Sequence, residues 1–164
     1  MDLRRLNVVL MVLGLALGAT VAFLVQSEES TATEAEQHGQ RSLDVTRAAT
    51  AQVQAFLGID HGNVDAQAQV VLDGATGEFK QQYAEELDSL RRSARAQQST
   101  AEATVLEVGI SDIDATTASV FVAADTVVTS NATDGTSRTV PWRIQLDMVK
   151  EGDRWLTAGL QFVG

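Results

Sequence analysis

The chain has 164 residues, enough for one ordinary domain with an appendage and too few for two domains with separate cores. Twelve Lys and Arg stand against 22 Asp and Glu, a formal charge of −10 that repels phosphate backbones and sets nucleic-acid binding aside. There is no Cys, so disulfides, thiolate metal sites and Cys nucleophiles are excluded, and His38 and His61 are the only imidazoles.

The first element in chain order is apolar. Val8 to Val25 carries no charge, and with Leu6 and Asn7 the run is long enough, at about 1.5 Å per residue, for a membrane-spanning helix over residues 6–25. Arg4 and Arg5 precede it and Glu28, Glu29, Glu34 and Glu36 follow it. The positive-inside rule then places residues 1–5 in the cytoplasm and the rest of the chain outside. A cleaved signal peptide competes, because Thr20-Val21-Ala22 offers small residues to a peptidase. Phe23, Leu24 and Val25 continue the apolar run past that cut, which favours an uncleaved anchor in the lipid bilayer. Gly14 and Gly18 form a small-xxx-small pair that would permit self-association within the membrane.

Residues 26–40 are polar, rich in Ser, Thr and Glu, and read as a tether, helical toward its end. The domain proper is expected over residues 41–164. Val45, Ala49, Val53 and Phe56 recur at helical spacing in a first amphipathic helix that ends near Gly58. Val64, Ala68 and Val71 suggest a second, stopped by Asp73-Gly74. Thr76-Gly77-Glu78 opens a third, with an inward stripe of Phe79, Tyr83, Leu87, Leu90 and Ala94 and a solvated face of Glu85, Glu86, Asp88, Arg91 and Arg92.

After Thr100 the period drops to two. Leu106, Val108 and Ile110 alternate in one strand. Ala118, Val120, Val122, Ala124 and Thr126 alternate in the next, with Phe121 and Val127 on its reverse. Asp134-Gly135 centres a hairpin connection. Val140, Trp142, Ile144, Leu146 and Met148 face one way in a third strand, with Pro141 at its start or edge, and Leu156, Ala158, Leu160 and Phe162 close the sheet. Three helices followed by four antiparallel strands is an α+β plan, and a cone-shaped nuclear-transport-factor-2-like architecture satisfies this order. Trp142 and Phe79 are expected in one core between the sheet and the third helix.

Little in the sequence assembles chemistry. Tyr83, the single tyrosine, lies on a buried stripe from which its hydroxyl could meet Asp125 or Asp147 inside a cone, as in proton-transfer enzymes of similar shape. A packed tyrosine and two surface aspartates explain the same residues. The two histidines lack companions at ligand spacing, so no metal is expected, and no cofactor motif occurs. Gly74 and Gly77 lack the lysine and further glycines of a phosphate loop and read as turn residues. Trp155 falls opposite Leu156 and Leu160, either as a second layer of packing or as an exposed contact.

The string Val71-Leu72-Asp73-Gly74-Ala75-Thr76-Gly77-Glu78-Phe79, then Tyr83 and an Arg-bearing helix, resembles a signature of the Mce-associated (mammalian cell entry associated) membrane proteins of actinobacteria. Asp153-Arg154-Trp155-Leu156 with Leu160 and Val163 is similar to the end of that pattern. The sequence departs from it at Gly58-Ile59-Asp60-His61, read as a loop. The resemblance implies an anchored extracytoplasmic domain of nuclear-transport-factor-2-like fold, in which Asp73, Gly74, Thr76, Gly77, Phe79, Tyr83 and Trp155 are structural. It implies a non-enzymatic accessory or scaffold of an Mce-type lipid importer, with transporter components and other envelope proteins as partners. A scaffold of another envelope or secretion machine, and a small-molecule binder or isomerase-like enzyme using the cone, are the alternatives.

Overall fold

The computed structural model describes residues 34–131 and 135–164. The expected span over residues 6–25, with its flanking Arg4 and Arg5 and the Gly14–Gly18 pair, lies outside them. Among the described residues, no helix is long and apolar enough to cross a membrane. Residues 41–164 form one compact unit.

Helix α1 covers residues 34–57. Its Val45, Ala49 and Val53, four residues apart, are fully buried, while Asp44 and Arg47 pair at 3.0 Å on the outside. Helix α2, Val64–Asp73, buries Val64, Ala68 and Val71. Helix α3, Gly77–Gln97, buries Phe79, Leu87 and Ala94 and leaves Tyr83 and Leu90 half-buried. It stops where Gln98 turns left-handed at φ 49°. Asp65 of α2 pairs with both Arg91 and Arg95 of α3. Exposed pairs of this kind orient two helices more than they stabilise them.

The sheet is an antiparallel meander of five strands in chain order: β1 (Ile59–Asp60), β2 (Thr100–Ile113), β3 (Thr117–Thr129), β4 (Arg138–Glu151) and β5 (Arg154–Phe162). Four strands were expected; the fifth is β1, in the segment read as a loop. Two residues carry no periodicity to detect. They pair because Ile59 and Asp60 lie opposite Ala101 and Thr100, with the Asp60 amide donating to Gln67 Oε1 at 2.7 Å.

The inward rows of β3 (Ala118 to Thr126) and β4 (Ile144, Leu146, Met148) are buried as their alternation predicts, and α1 packs its stripe on them to form the main core. Two other alternations fail, both at bulges. A register shift between Val105 and Glu107 turns Val105 onto the core and leaves Leu106 59% exposed, so Leu106 does not share a face with Val108 and Ile110. In β5, Met148 pairs with Thr157 but Asp147 with Gly159, which makes Ala158 the extra residue. Trp155 and Thr157 therefore face inward below the bulge and Leu160 and Phe162 above it, and Leu156 and Ala158 do not belong to that row.

Phe79 and Trp142 are not in one core. Phe79 joins Val71 and Ala75 in a smaller cluster, while Trp142 flanks the main one and donates its Nε1 hydrogen to Thr126 Oγ1 at 2.9 Å. Phe56 and Phe162 stand between them, and Leu160 touches both clusters.

Candidate functional site

The two ends of the family-like pattern, some 80 residues apart in sequence, meet at the α2–α3 turn. The Thr76 amide donates to the Thr157 carbonyl at 2.8 Å, and the Thr157 amide donates to the Gly74 carbonyl at 2.9 Å. Ala75 forms a parallel bridge with Thr157. Arg154 Nη2 donates to the Asp73 carbonyl and Thr76 Oγ1 to Glu151 Oε1, each at 2.7 Å. Buried Gln52 reaches in from α1 and donates to the Val71 carbonyl at 3.2 Å, so close to the turn that a Cβ on Gly74 would collide with its Oε1. Gly77 is needed for a different reason, its φ of +56°. Trp155, 6% exposed, belongs to the main core. These residues clamp the helices to β5 through hydrogen bonds of their backbone and side chains, and the buried Thr157 Oγ1 is left without a partner among the described residues.

Along α3 from Phe79 to Ser93 the surface is different. Phe56 from α1, Phe79, Tyr83 and Leu90 from α3, and Leu160 and Phe162 from β5 line a cleft of about 520 Å³. Its rings form a chain with centroids 5.1–6.2 Å apart, from Phe79 and Tyr83 through Phe56 and Phe162 to Trp142. Aromatics make up 5% of the sequence, so five in one patch is a concentration that sequence order hides. Phe162 is 54% exposed, so the cleft opens to solvent. The rim is polar, with Gln82, Ser89 and Ser93, and Glu86 is the one charged side chain among the described residues that line it.

Tyr83 lies in this cleft and away from both aspartates proposed for it. Asp125 and Asp147 alternate with the inward residues Ala124 and Thr126, and Leu146 and Met148, and so occupy the outward register of β3 and β4. The strand period that buries their neighbours forbids the pairing. Burial pushes the Tyr83 phenol up from its ordinary value, against a smaller downward pull from Arg91. The hydroxyl is thus protonated at neutral pH, a donor and not a base, and it makes no hydrogen bond among the described residues. The main core, of α1, β3 and β4, is built mostly of aliphatic side chains. Among the described residues no group of three potential metal ligands forms, and His61, on the α1–α2 connection, does not line the cleft. What the cleft offers is apolar area with the Tyr83 phenol, the hydroxyls of Ser89 and Ser93, the Gln82 amide and one carboxylate.

No curated protein matches the sequence. Among solved structures, the fold is similar to CagV, a VirB8 homolog of the type IV secretion system of Helicobacter pylori strain 26695. The TM-score is 0.60 at 9% identity, covering 74% of this chain and 97% of that one. VirB8 of Agrobacterium tumefaciens gives 0.60 at 8% identity, over 76% and 92%. The periplasmic domain of DotI gives 0.57 at 12%, over 73% and 92%. At such identities the likeness establishes the nuclear-transport-factor-2-like α+β fold. The sequence itself matches a family pattern across residues 5–164, and the chain belongs to the family described as Uncharacterized protein Rv1363c/MT1408-like.

Proposed function

We propose that this protein is a membrane-anchored, non-enzymatic scaffold whose domain lies outside the cytoplasm and holds other envelope proteins, in the service of an Mce-type lipid importer. One observation carries the reading: beside the aliphatic core of α1, β3 and β4, an aromatic cleft between α1, α3 and β5 stands open to solvent. A catalytic cone needs an enclosed space with a positioned acid or base. Here the one lining carboxylate, Glu86, is exposed and the phenol is a donor. An open apolar patch with a polar rim is the anatomy of a protein-binding surface. The apolar run after Arg4 and Arg5 supports the anchor and its orientation. The resemblance around Asp73-Gly74 and Asp153-Arg154-Trp155 supports the importer as the complex served.

The likeness to CagV, VirB8 and the periplasmic domain of DotI favours a second reading, the same scaffold serving a secretion machine. Co-purification of the full-length protein from detergent-solubilised membranes, read by mass spectrometry, separates the two. Importer subunits are expected with it, and deletion of the protein is expected to lower their abundance. Recovery of secretion components alone transfers the scaffold to that machine, and recovery of neither, with importer abundance unchanged on deletion, overturns both readings.

A further inference from the structure

The open edge of the sheet and the aromatic cleft lie side by side. β5 is the last strand of the meander. Its lower half is covered, since Thr157 exchanges backbone hydrogen bonds with Gly74 and Thr76. Past Thr157, no backbone group among the described residues hydrogen-bonds to its outward edge, so residues 158–162 present an unpaired ladder. The opposing wall is α3, where Phe79, Tyr83, Glu86, Leu90 and Ser93 line the cleft at steps of 4, 3, 4 and 3. From Phe79 to Ser93 that wall is about 21 Å long at the helical rise, the length of about six extended residues.

An extended segment laid on the β5 edge would continue the sheet. Its alternate side chains would share the face of Leu160 and Phe162 and so enter the cleft. Charge selects the occupant. The lining carries Glu86 and the chain a formal charge of −10, so a second copy would bring like charge to the same place. A segment flanked by Lys or Arg would meet opposite charge.

We propose that the open edge of β5 captures an extended segment of another protein, with alternating apolar side chains in the aromatic cleft and a basic residue against Glu86. This rests on the scaffold reading and adds how the partner is held. The test uses the full-length protein in nanodiscs and a fluorescent peptide, Lys-Val-Thr-Val-Thr-Val-Lys, followed by anisotropy with empty nanodiscs as reference. Saturable binding is expected. A strand pairs along one edge, so of the two alternately N-methylated versions of the peptide one should bind about tenfold more weakly and the other nearly as well. Glu86→Lys, at an exposed position and with an unchanged melting temperature, should weaken the Lys-flanked peptide about fivefold and strengthen a Glu-flanked one.

Equal binding of both methylated peptides overturns strand pairing, and indifference to Glu86→Lys overturns the choice of occupant. Equal signal on empty nanodiscs assigns the apolar contact to lipid and overturns the proposal. So does a concentration-dependent dimer that the peptide dissociates. Absence of peptide binding in a preparation that still co-purifies with its envelope complex removes the captured segment and leaves the scaffold standing; absence of both removes the scaffold as well.

Discussion

The turn before α3 and the body of the helix meet β5 in opposite ways. The turn from Gly74 to Gly77 is bound to Thr157, Arg154 and Glu151 by a dense set of hydrogen bonds. From Phe79 onward helix and strand leave an apolar cleft between them, and the Tyr83 hydroxyl and the β5 edge go unpaired among the described residues. The Gly, Asp and Thr residues of the recognisable sequence pattern fall on the first region, while its Phe79, Tyr83 and Leu160 line the second. A motif made of Gly, Asp and Thr at fixed spacing is what a tight, close-packed turn demands. A binding patch demands apolar area, which many residue combinations supply.

The comparison breaks most directly at Trp155. Its ring is 6% exposed in the main core at the clamped end, so Trp155→Ala is expected to cost about 3–5 kcal/mol in urea unfolding of the purified protein. Phe162→Ala, at a half-exposed ring over the cleft, should cost about 1 kcal/mol or less. Equal costs would mean that the clamped turn and the cleft do not differ in packing. Next in size is Gly74→Ala. The added methyl must drive Gln52 from the Val71 carbonyl, leaving a buried amide short of a partner at about 1–3 kcal/mol. Recovery in the double variant Gly74→Ala, Gln52→Ala would assign the loss to that collision, and no recovery would place it elsewhere in the turn.

Sequence periodicity reveals what repeats and hides what interrupts. The stripes of α1 and α3 and the inward rows of β3 and β4 are legible because each runs unbroken for several turns or pairs. Leu106 and Ala158 defeat the reading because a bulge shifts the side-chain phase without changing composition. β1 is too short to show a period. The Tyr83 site failed by register, since counting along β3 and β4 from their buried residues already places Asp125 and Asp147 outward. The cleft had a different kind of signal. Phe56, Phe79 and Tyr83 end or line inward helical stripes and Phe162 ends the last strand, but the fold alone brings them together.

A smaller effect extends the contrast between satisfied and open polar groups to the β2–β3 turn. Asp114 accepts hydrogen bonds from the Thr116 and Thr117 amides at 2.7 Å each and from Thr117 Oγ1 at 2.9 Å. The backbone bonds, Thr116 first, lower its pKa from 3.8 to about 2. A depressed carboxyl contributes stability that is present above its unfolded value and lost as pH falls through the folded one. The difference in melting temperature between the protein and Asp114→Ala should therefore be constant above about pH 5 and shrink toward about pH 2. A difference that does not change across that window would show that the carboxylate charge contributes nothing to the turn.

The smallest expected effect on stability is the most informative about function. Tyr83→Phe keeps the ring, and with it the contacts to Phe56 and Phe79 at 6.0 and 6.2 Å, and removes a hydroxyl that has no hydrogen-bond partner among the described residues. Unfolding free energy should change by about 0.5 kcal/mol or less, because no bond is broken and no buried group is orphaned. At the clamped end even the removal of a methyl-sized clearance is felt; here a polar atom can go unnoticed. If the cleft serves a scaffold by its apolar area, the variant should restore the abundance of the partner complex in a deletion strain as fully as the unaltered protein. If it uses the phenol as a proton donor, the variant should accumulate as a normally folded protein and still behave like the deletion. That second pattern would assign the cleft to chemistry, because packing, charge and surface shape are otherwise the same in the two proteins.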